Sequence, residues 1–117
     1  TLMMIDSLEM KNKEIEQIIK ACDDSLSKKI VITHGTDRMV ETARALSEAN
    51  RNNKTILLTG AMIPYAFGSS SDGFFNLGCA LAYVQTLTPD VYITMQGQYF
   101  LWNEVKKNKE LGLFQEV

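Results

Sequence analysis

The stretch "VITHGTDRMVETA" (residues 31–43) passes from a β-branched apolar run, through small and polar residues, into residues spaced like one face of a helix. With the two preceding residues, "KIVIT" (29–33) reads as a short strand buried on both faces, because a half-exposed strand would alternate apolar and polar positions. Met39, Ala43 and Leu46 then recur at helical spacing over 38–50. A buried strand that turns through a polar cluster into an amphipathic helix is one unit of a parallel α/β sheet. The cluster, with His34, Thr36 and Asp37, falls at the carboxyl end of that strand, where such sheets gather their ligands.

Working outward, the same unit recurs on both sides. Upstream, Ile15, Ile18, Ile19, Cys22 and Leu26 form one apolar face over 12–27, with Asn12 as the expected N-cap. Downstream, "KTILLTG" (54–60) is a second buried strand, and "AMIPYAFGSSSDG" (61–73) is rich enough in Gly, Ser and Pro to be a loop. "FFNLGCALAYVQTL" (74–87) is apolar nearly all round, which predicts a well-buried helix broken by Pro89 and Asp90. "VYITM" (91–95) gives a third buried strand, and "QGQYFLW" (96–102) a short hairpin or bulged extension. The remainder is polar, apart from a final short element expected in "ELGLFQEV" (110–117).

Alternating helices and buried strands predict an α/β fold: a three-layer, doubly wound, mainly parallel sheet of Rossmann-like or flavodoxin-like kind. Residues 30–33, 56–59 and 91–95 are its expected neighbouring strands. Three polar clusters then fall at strand ends: Thr33 to Asp37, Thr59 to Met62, and Met95 to Lys107. One site fed by all three is expected.

Composition narrows the function. The 117 residues suit one domain, and 45% hydrophobic content supplies a core. A net charge of -2 gives no basic face for phosphate contacts, so nucleic acid is not an expected partner. The short lysine-rich pieces (Lys11 to Lys13, Lys28 and Lys29, Lys106 to Lys109) are interleaved with acids and read as solvated surface. Cys22 and Cys79 are far apart in the chain, each on the apolar side of a helical pattern. Two buried free thiols in a reducing cytoplasm fit better than a disulfide, and their spacing fits no metal site. No apolar run approaches the ~20 residues that span a bilayer, and no signal peptide is visible.

"ITHGTDRMVETA" (32–43), "LLTGAM" (57–62) and "SSSDGFFNL" (69–77), in this order and spacing, resemble the N-terminal domain of the bacterial L-asparaginase family, over essentially residues 5–107. The ammonia-releasing subunit of archaeal glutamyl-tRNA amidotransferase is similar too. The resemblance implies a threonine-dependent amidohydrolase that converts asparagine to aspartate and ammonia without cofactor or metal. It implies that Thr36, Asp37 and Lys107 form the family's Thr–Asp–Lys cluster, and that Ser7 in "IDSLEM" binds the substrate carboxylate. The backbone carbonyl of Ala61 would hold the substrate amide. A small-molecule amide is thus the expected substrate, with no nucleic-acid or membrane partner.

The chemistry fits these residue types. A threonine hydroxyl is a weak nucleophile until a base takes its proton, and a lysine can be that base. Asp37 can accept the ammonium of an amino acid, and backbone N–H groups at a helix start can donate to its carboxylate.

The chain also departs from the family pattern. The Thr-Gly-Gly-Thr segment that carries the primary nucleophile does not occur, the Ser-Gln pair reads Ser7-Leu8, and Ile63 stands where the family has an arginine. Neither the family's first strand nor its smaller C-terminal domain is expected here, which leaves sheet edges open and makes homo-oligomerisation the expectation. This chain alone should turn over little or no substrate.

Plainer readings stand beside these. His34 is expected to be a packed, hydrogen-bonded side chain rather than a catalyst. Asp72 is expected to cap the helix that follows it. Lys107 reads equally as a solvated lysine beside Lys106 and Lys109. Tyr99, Phe100 and Trp102 are expected to pack a sheet edge or an interface. A non-catalytic amino-acid-binding or assembly domain is the alternative function. A nucleotide-binding domain is disfavoured, because no G-x-G-x-x-G or P-loop turn opens any helix.

Overall fold

The uninterrupted apolar segments become the centre of one sheet. The computed structural model describes residues 2–7, 12–50, 52–63 and 71–117, with the side chains of all but 2–7 and 12. Strands β1 (Leu2–Ser7), β2 (Lys29–His34), β3 (Thr55–Thr59) and β4 (Val91–Met95) run parallel in that spatial order. β5 (Gln98–Leu101) adds antiparallel to β4 through a two-residue turn, in which Gln96 (φ 58°) and Gly97 (φ 76°) are both left-handed. A separate antiparallel hairpin follows, β6 (Val105–Asn108) with β7 (Leu113–Glu116).

The side chains of β2, β3 and β4 divide by parity, because successive residues of a strand point to opposite faces. Ile30, Ile32, Ile56, Leu58, Val91, Ile93 and Met95 pack with α1 (Asn12–Asp24) and α2 (Met39–Ala49), together with Phe100, Val105 and Phe114. Val31, Leu57 and Tyr92 pack on the other face with Ala80 and Val84, from α3 (Gly73–Tyr83) and the turn after it. Helices therefore cover both faces, as expected. The strand order always steps the same way, yet α2 and α3 lie on opposite faces. The β2–α2–β3 and β3–α3–β4 crossovers consequently have opposite hands. One of them is an exception to the right-handed rule, which about 98% of such connections obey.

Several expectations are corrected. β1 does not figure in the sequence reading, although "LMMI" (2–5) is an apolar run, and β6 lies in a stretch read as polar remainder. α1 stops at Asp24, so Leu26 leaves the apolar face and is 99% exposed. Asn12 opens α1, with its side chain outside the described residues. α3 ends at Tyr83 rather than reaching Leu87, and only Gly73, Asn76 and Ala80 of it are buried. Phe74 and Phe75 are exposed, because α3 packs on the sheet through its other side. Cys22 is buried, and burial pushes its thiol up to about 11; Cys79, on α3, is half-buried. Among the described residues, no helix is long and apolar enough to cross a membrane. Residues 64–70 of the expected loop lie outside the described residues.

Candidate active site

The carboxyl ends of β2, β3 and β4 open on one edge of the sheet, and each delivers a polar group there. β2 runs out at His34, and Gly35, Thr36 and Asp37 bridge to α2. β3 runs out into Gly60 and Ala61, and β4 into Gln96. Gly60 is there for lack of a side chain: a Cβ at this position would sit 2.3 Å from the His34 carbonyl oxygen. The backbones at the ends of β2 and β3 therefore approach closely at Gly60. Ser7 closes β1, in register with His34, and its side chain lies outside the described residues.

Lys107 reaches this edge from β6, seventy residues further along the chain. Its Nζ donates to Thr36 Oγ1 at 2.8 Å and to Asp37 Oδ1 at 2.7 Å. The Lys107 side chain is 14% exposed and that of Asp37 81%, so the ammonium is sheltered while the carboxylate faces solvent. The hydrogen bond and charge of Lys107 hold the Asp37 carboxyl below its usual range, and Lys109 adds to this. Thr36, Asp37 and Lys107 are thus brought together, and Ala61 leaves the same end of the sheet.

His34 is buried and fully engaged. Its Nδ1 contacts the Gly35 carbonyl oxygen, which can only accept, so Nδ1 carries the proton. Nε2 lies 2.8 Å from Thr42 Oγ1, buried in α2. Burial, followed by the positive charge of Arg38, lowers the His34 pKa against the opposing Gly35 hydrogen bond. The ring is a neutral brace between β2 and α2.

The loop after β3 is held by residues whose part the sequence reading misses. Asp72 does not cap α3 with its side chain. Its carboxylate instead accepts from the backbone N–H groups of Met62 (3.1 Å) and Ile63 (2.9 Å) and from Asn76 Nδ2 (3.0 Å). Asn76, buried in α3, also donates to the Gly60 carbonyl at 2.8 Å and accepts from Gln96 N–H at 3.2 Å. The Gln96 carboxamide donates to the Phe114 carbonyl at 2.9 Å and accepts from the Phe114 N–H. The signals were a lone asparagine inside the apolar run "FFNLGCALAY" and a glutamine before glycine at a hairpin.

A groove of about 490 Å³ lies elsewhere, lined by residues of β5 and β7 with Tyr83 and Gly97, and none of Thr36, Asp37, Ala61 or Lys107 borders it. Among the described residues, no three His, Cys, Asp or Glu side chains group to hold a metal.

The asparaginase N-terminal family matches residues 1–114. The chain belongs to that family. Among curated relatives, the L-asparaginase of Thermococcus kodakarensis is 38% identical over 91 residues, which is 75% of this chain and 27% of that protein. The glutaminase-asparaginase of Acinetobacter glutaminasificans is 31% identical over 112 residues, 90% of this chain and 34% of that protein. The solved structure of the thermostable Thermococcus kodakarensis L-asparaginase superposes with a TM-score of 0.78 at 28% identity, covering 92% of this chain and 34% of that one. The chain spans about a quarter to a third of the length of these relatives.

Proposed function

We propose that this chain supplies the Thr–Asp–Lys half of an L-asparaginase-type active site, in a protein that hydrolyses the side-chain amide of asparagine to aspartate and ammonia. The observation that carries the reading is the Lys107 ammonium bridging Thr36 Oγ1 and Asp37 Oδ1 at the carboxyl edge of the sheet. An exposed carboxylate kept ionised by its neighbour suits the ammonium of an amino acid. The amide would lie toward Ala61, whose carbonyl follows the braced Gly60, and the substrate carboxylate toward Ser7 and the N–H groups that open α2.

With substrate present, Asp37 turns to the substrate ammonium; Lys107 gives one proton to water, and the lone pair of the neutral amine then takes the Thr36 hydroxyl proton. The activated hydroxyl carries a proton to or from the group that attacks the amide carbon. The C–N bond breaks, ammonia leaves with a proton, and water supplies the oxygen of the new carboxylate. The primary nucleophile is assigned to the Thr-Gly-Gly-Thr segment of the family, which these 117 residues do not carry. Association into a homo-oligomer and a cytoplasmic setting belong to the same proposal.

A second reading, a non-catalytic amino-acid-binding or assembly domain, draws on the exposed Asp37 carboxylate, which suits an amino-acid ammonium whether or not turnover follows. Ammonia release from L-asparagine and L-glutamine by the full-length protein separates the two. Release that is lost in Thr36→Val supports hydrolysis. Amino-acid binding without release supports the second reading, and wild-type turnover in Thr36→Val removes Thr36 from the chemistry.

A further inference from the structure

Lys107 stands on a hairpin that is no part of the main sheet, so something must fix its height over Thr36. β6 and β7 pair with each other as a separate two-stranded unit. Across that pair, the register partner of Lys107 is Phe114. Phe114 is almost fully buried, and the Gln96 carboxamide engages both its backbone N–H and its carbonyl. A side-chain amide presenting a donor and an acceptor to one residue reproduces what a neighbouring strand would offer. Gln96 thereby continues the ladder from the end of β4 onto β7.

The backbone of Gln96 has an unusual form. Its φ of 58° lies in the left-handed region, which a glutamine adopts at a cost and which turns of this type usually give to Asn, Asp or Gly. Such a conformation persists only where its surroundings hold it. Here the hold is Asn76, whose Oδ1 accepts the Gln96 N–H while its Nδ2 donates to the Gly60 carbonyl and to Asp72. Hydrogen bonds therefore run from the Met62 and Ile63 amides through Asp72, Asn76 and Gln96 to Phe114, which commits both backbone groups to Gln96 and stands directly opposite Lys107 in the β6–β7 pair.

We infer that Gln96, held in its left-handed turn by Asn76, is a positioning residue for Lys107, fixing the ammonium over Thr36 by docking β7 onto the end of β4. The inference rests on the proposed role of Lys107, and the experiment separates the two. In the full-length protein, Gln96→Ala is expected to lower kcat by between about ten- and a hundredfold, the scale of an ångström-sized misplacement, with KM changed less than about threefold. Combined with Lys107→Met, it should add nothing further, because Gln96 acts only through that lysine. Gln96→Glu keeps the acceptor for the Phe114 N–H but loses the donor, and it gives the same reading should Gln96→Ala fail to fold. It should recover part of the lost kcat.

If Lys107→Met is itself without effect, the reading of the site fails and this inference falls with it. If Lys107→Met abolishes turnover while both folded Gln96 variants keep wild-type kcat, the site stands and the positioning role is overturned. Losses that multiply in the double variant, or a fall confined to KM, overturn it as well.

Discussion

Two lysines sit at opposite ends of the same parallel sheet, and both donate two hydrogen bonds. Lys54, at the amino end just before β3, is 3% exposed, and its Nζ donates to the backbone carbonyls of Cys22 and Ser25 at the end of α1. Lys107, at the carboxyl end, donates to a hydroxyl and a carboxylate that faces solvent. The partners decide what each can do. Carbonyls at a helix C-terminus accept hydrogen bonds and nothing more, so Lys54 satisfies orphan acceptors where the helix dipole is negative. A hydroxyl can give up its proton and a carboxylate can change partner, so Lys107 is arranged for exchange. Depth of burial would have pointed to the wrong lysine.

The largest effect expected from this contrast is on turnover at the carboxyl end. In the full-length protein, Thr36→Val and Lys107→Met should each lower kcat for amide hydrolysis by about 10²–10⁴-fold, the usual contribution of a proton-transferring group. Circular dichroism should be unchanged, since valine keeps the shape of threonine and methionine the length of lysine. Steady-state ammonia release checks both. Full turnover in Lys107→Met would erase the difference between the two lysines.

Asp37→Ala sharpens the same contrast, because it separates binding from chemistry. Losing a hydrogen bond to a charged group costs about 1.5–3 kcal/mol, so KM for asparagine should rise by more than about tenfold. An amide substrate without the α-ammonium should be indifferent to the change. Equal losses for both substrates would show that Asp37 serves Lys107 rather than the amino acid.

At the amino end the expected currency is stability. Lys54→Met leaves the Cys22 and Ser25 carbonyls without their donor, which should cost about 1–3 kcal/mol in urea unfolding and leave kcat untouched. A drop in kcat with unchanged stability would break the comparison from the other side.

The two ends also differ in how far the sequence reveals them. The apolar runs that become β2, β3 and β4 are legible because a doubly covered strand has no polar positions, and Thr36 and Asp37 are legible because they follow one directly. Lys107 is harder. It belongs to a two-stranded hairpin with one buried residue in β6, and so small a half-buried pair leaves no periodicity to read. Its identification depended on family spacing rather than pattern. The brace is less legible still, because Asp72, Asn76 and Gln96 act through backbone groups distant in sequence. α3 was misread because an all-apolar helix implies cover on all sides, and among the described residues this one is covered by the sheet on one side.

The smallest effect concerns His34, which braces β2 beside Thr36. Burial is the main cause of its lowered pKa, so the folded protein resists protonation there, whereas the unfolded chain takes the proton near 6.5. Between the folded value and 6.5 the unfolded state binds more protons. Stability from this residue is therefore full above 6.5 and falls as the pH drops below it, levelling out once the folded ring also protonates. Asp37 behaves differently: its folded pKa lies below the ordinary 3.8, so its contribution is present above 3.8 and is lost only as the pH falls further. The two windows do not overlap at their upper ends, and urea unfolding between pH 7 and 5 should report His34 alone of the pair. His34→Gln replaces a titrating ring with an amide that can still bond Thr42. It should flatten the pH dependence in that window, even if it lowers stability throughout. An unchanged slope in His34→Gln would mean that the ring takes up its proton equally in the folded and unfolded states, and that the buried hydrogen bonds to Gly35 and Thr42 do not select the neutral form.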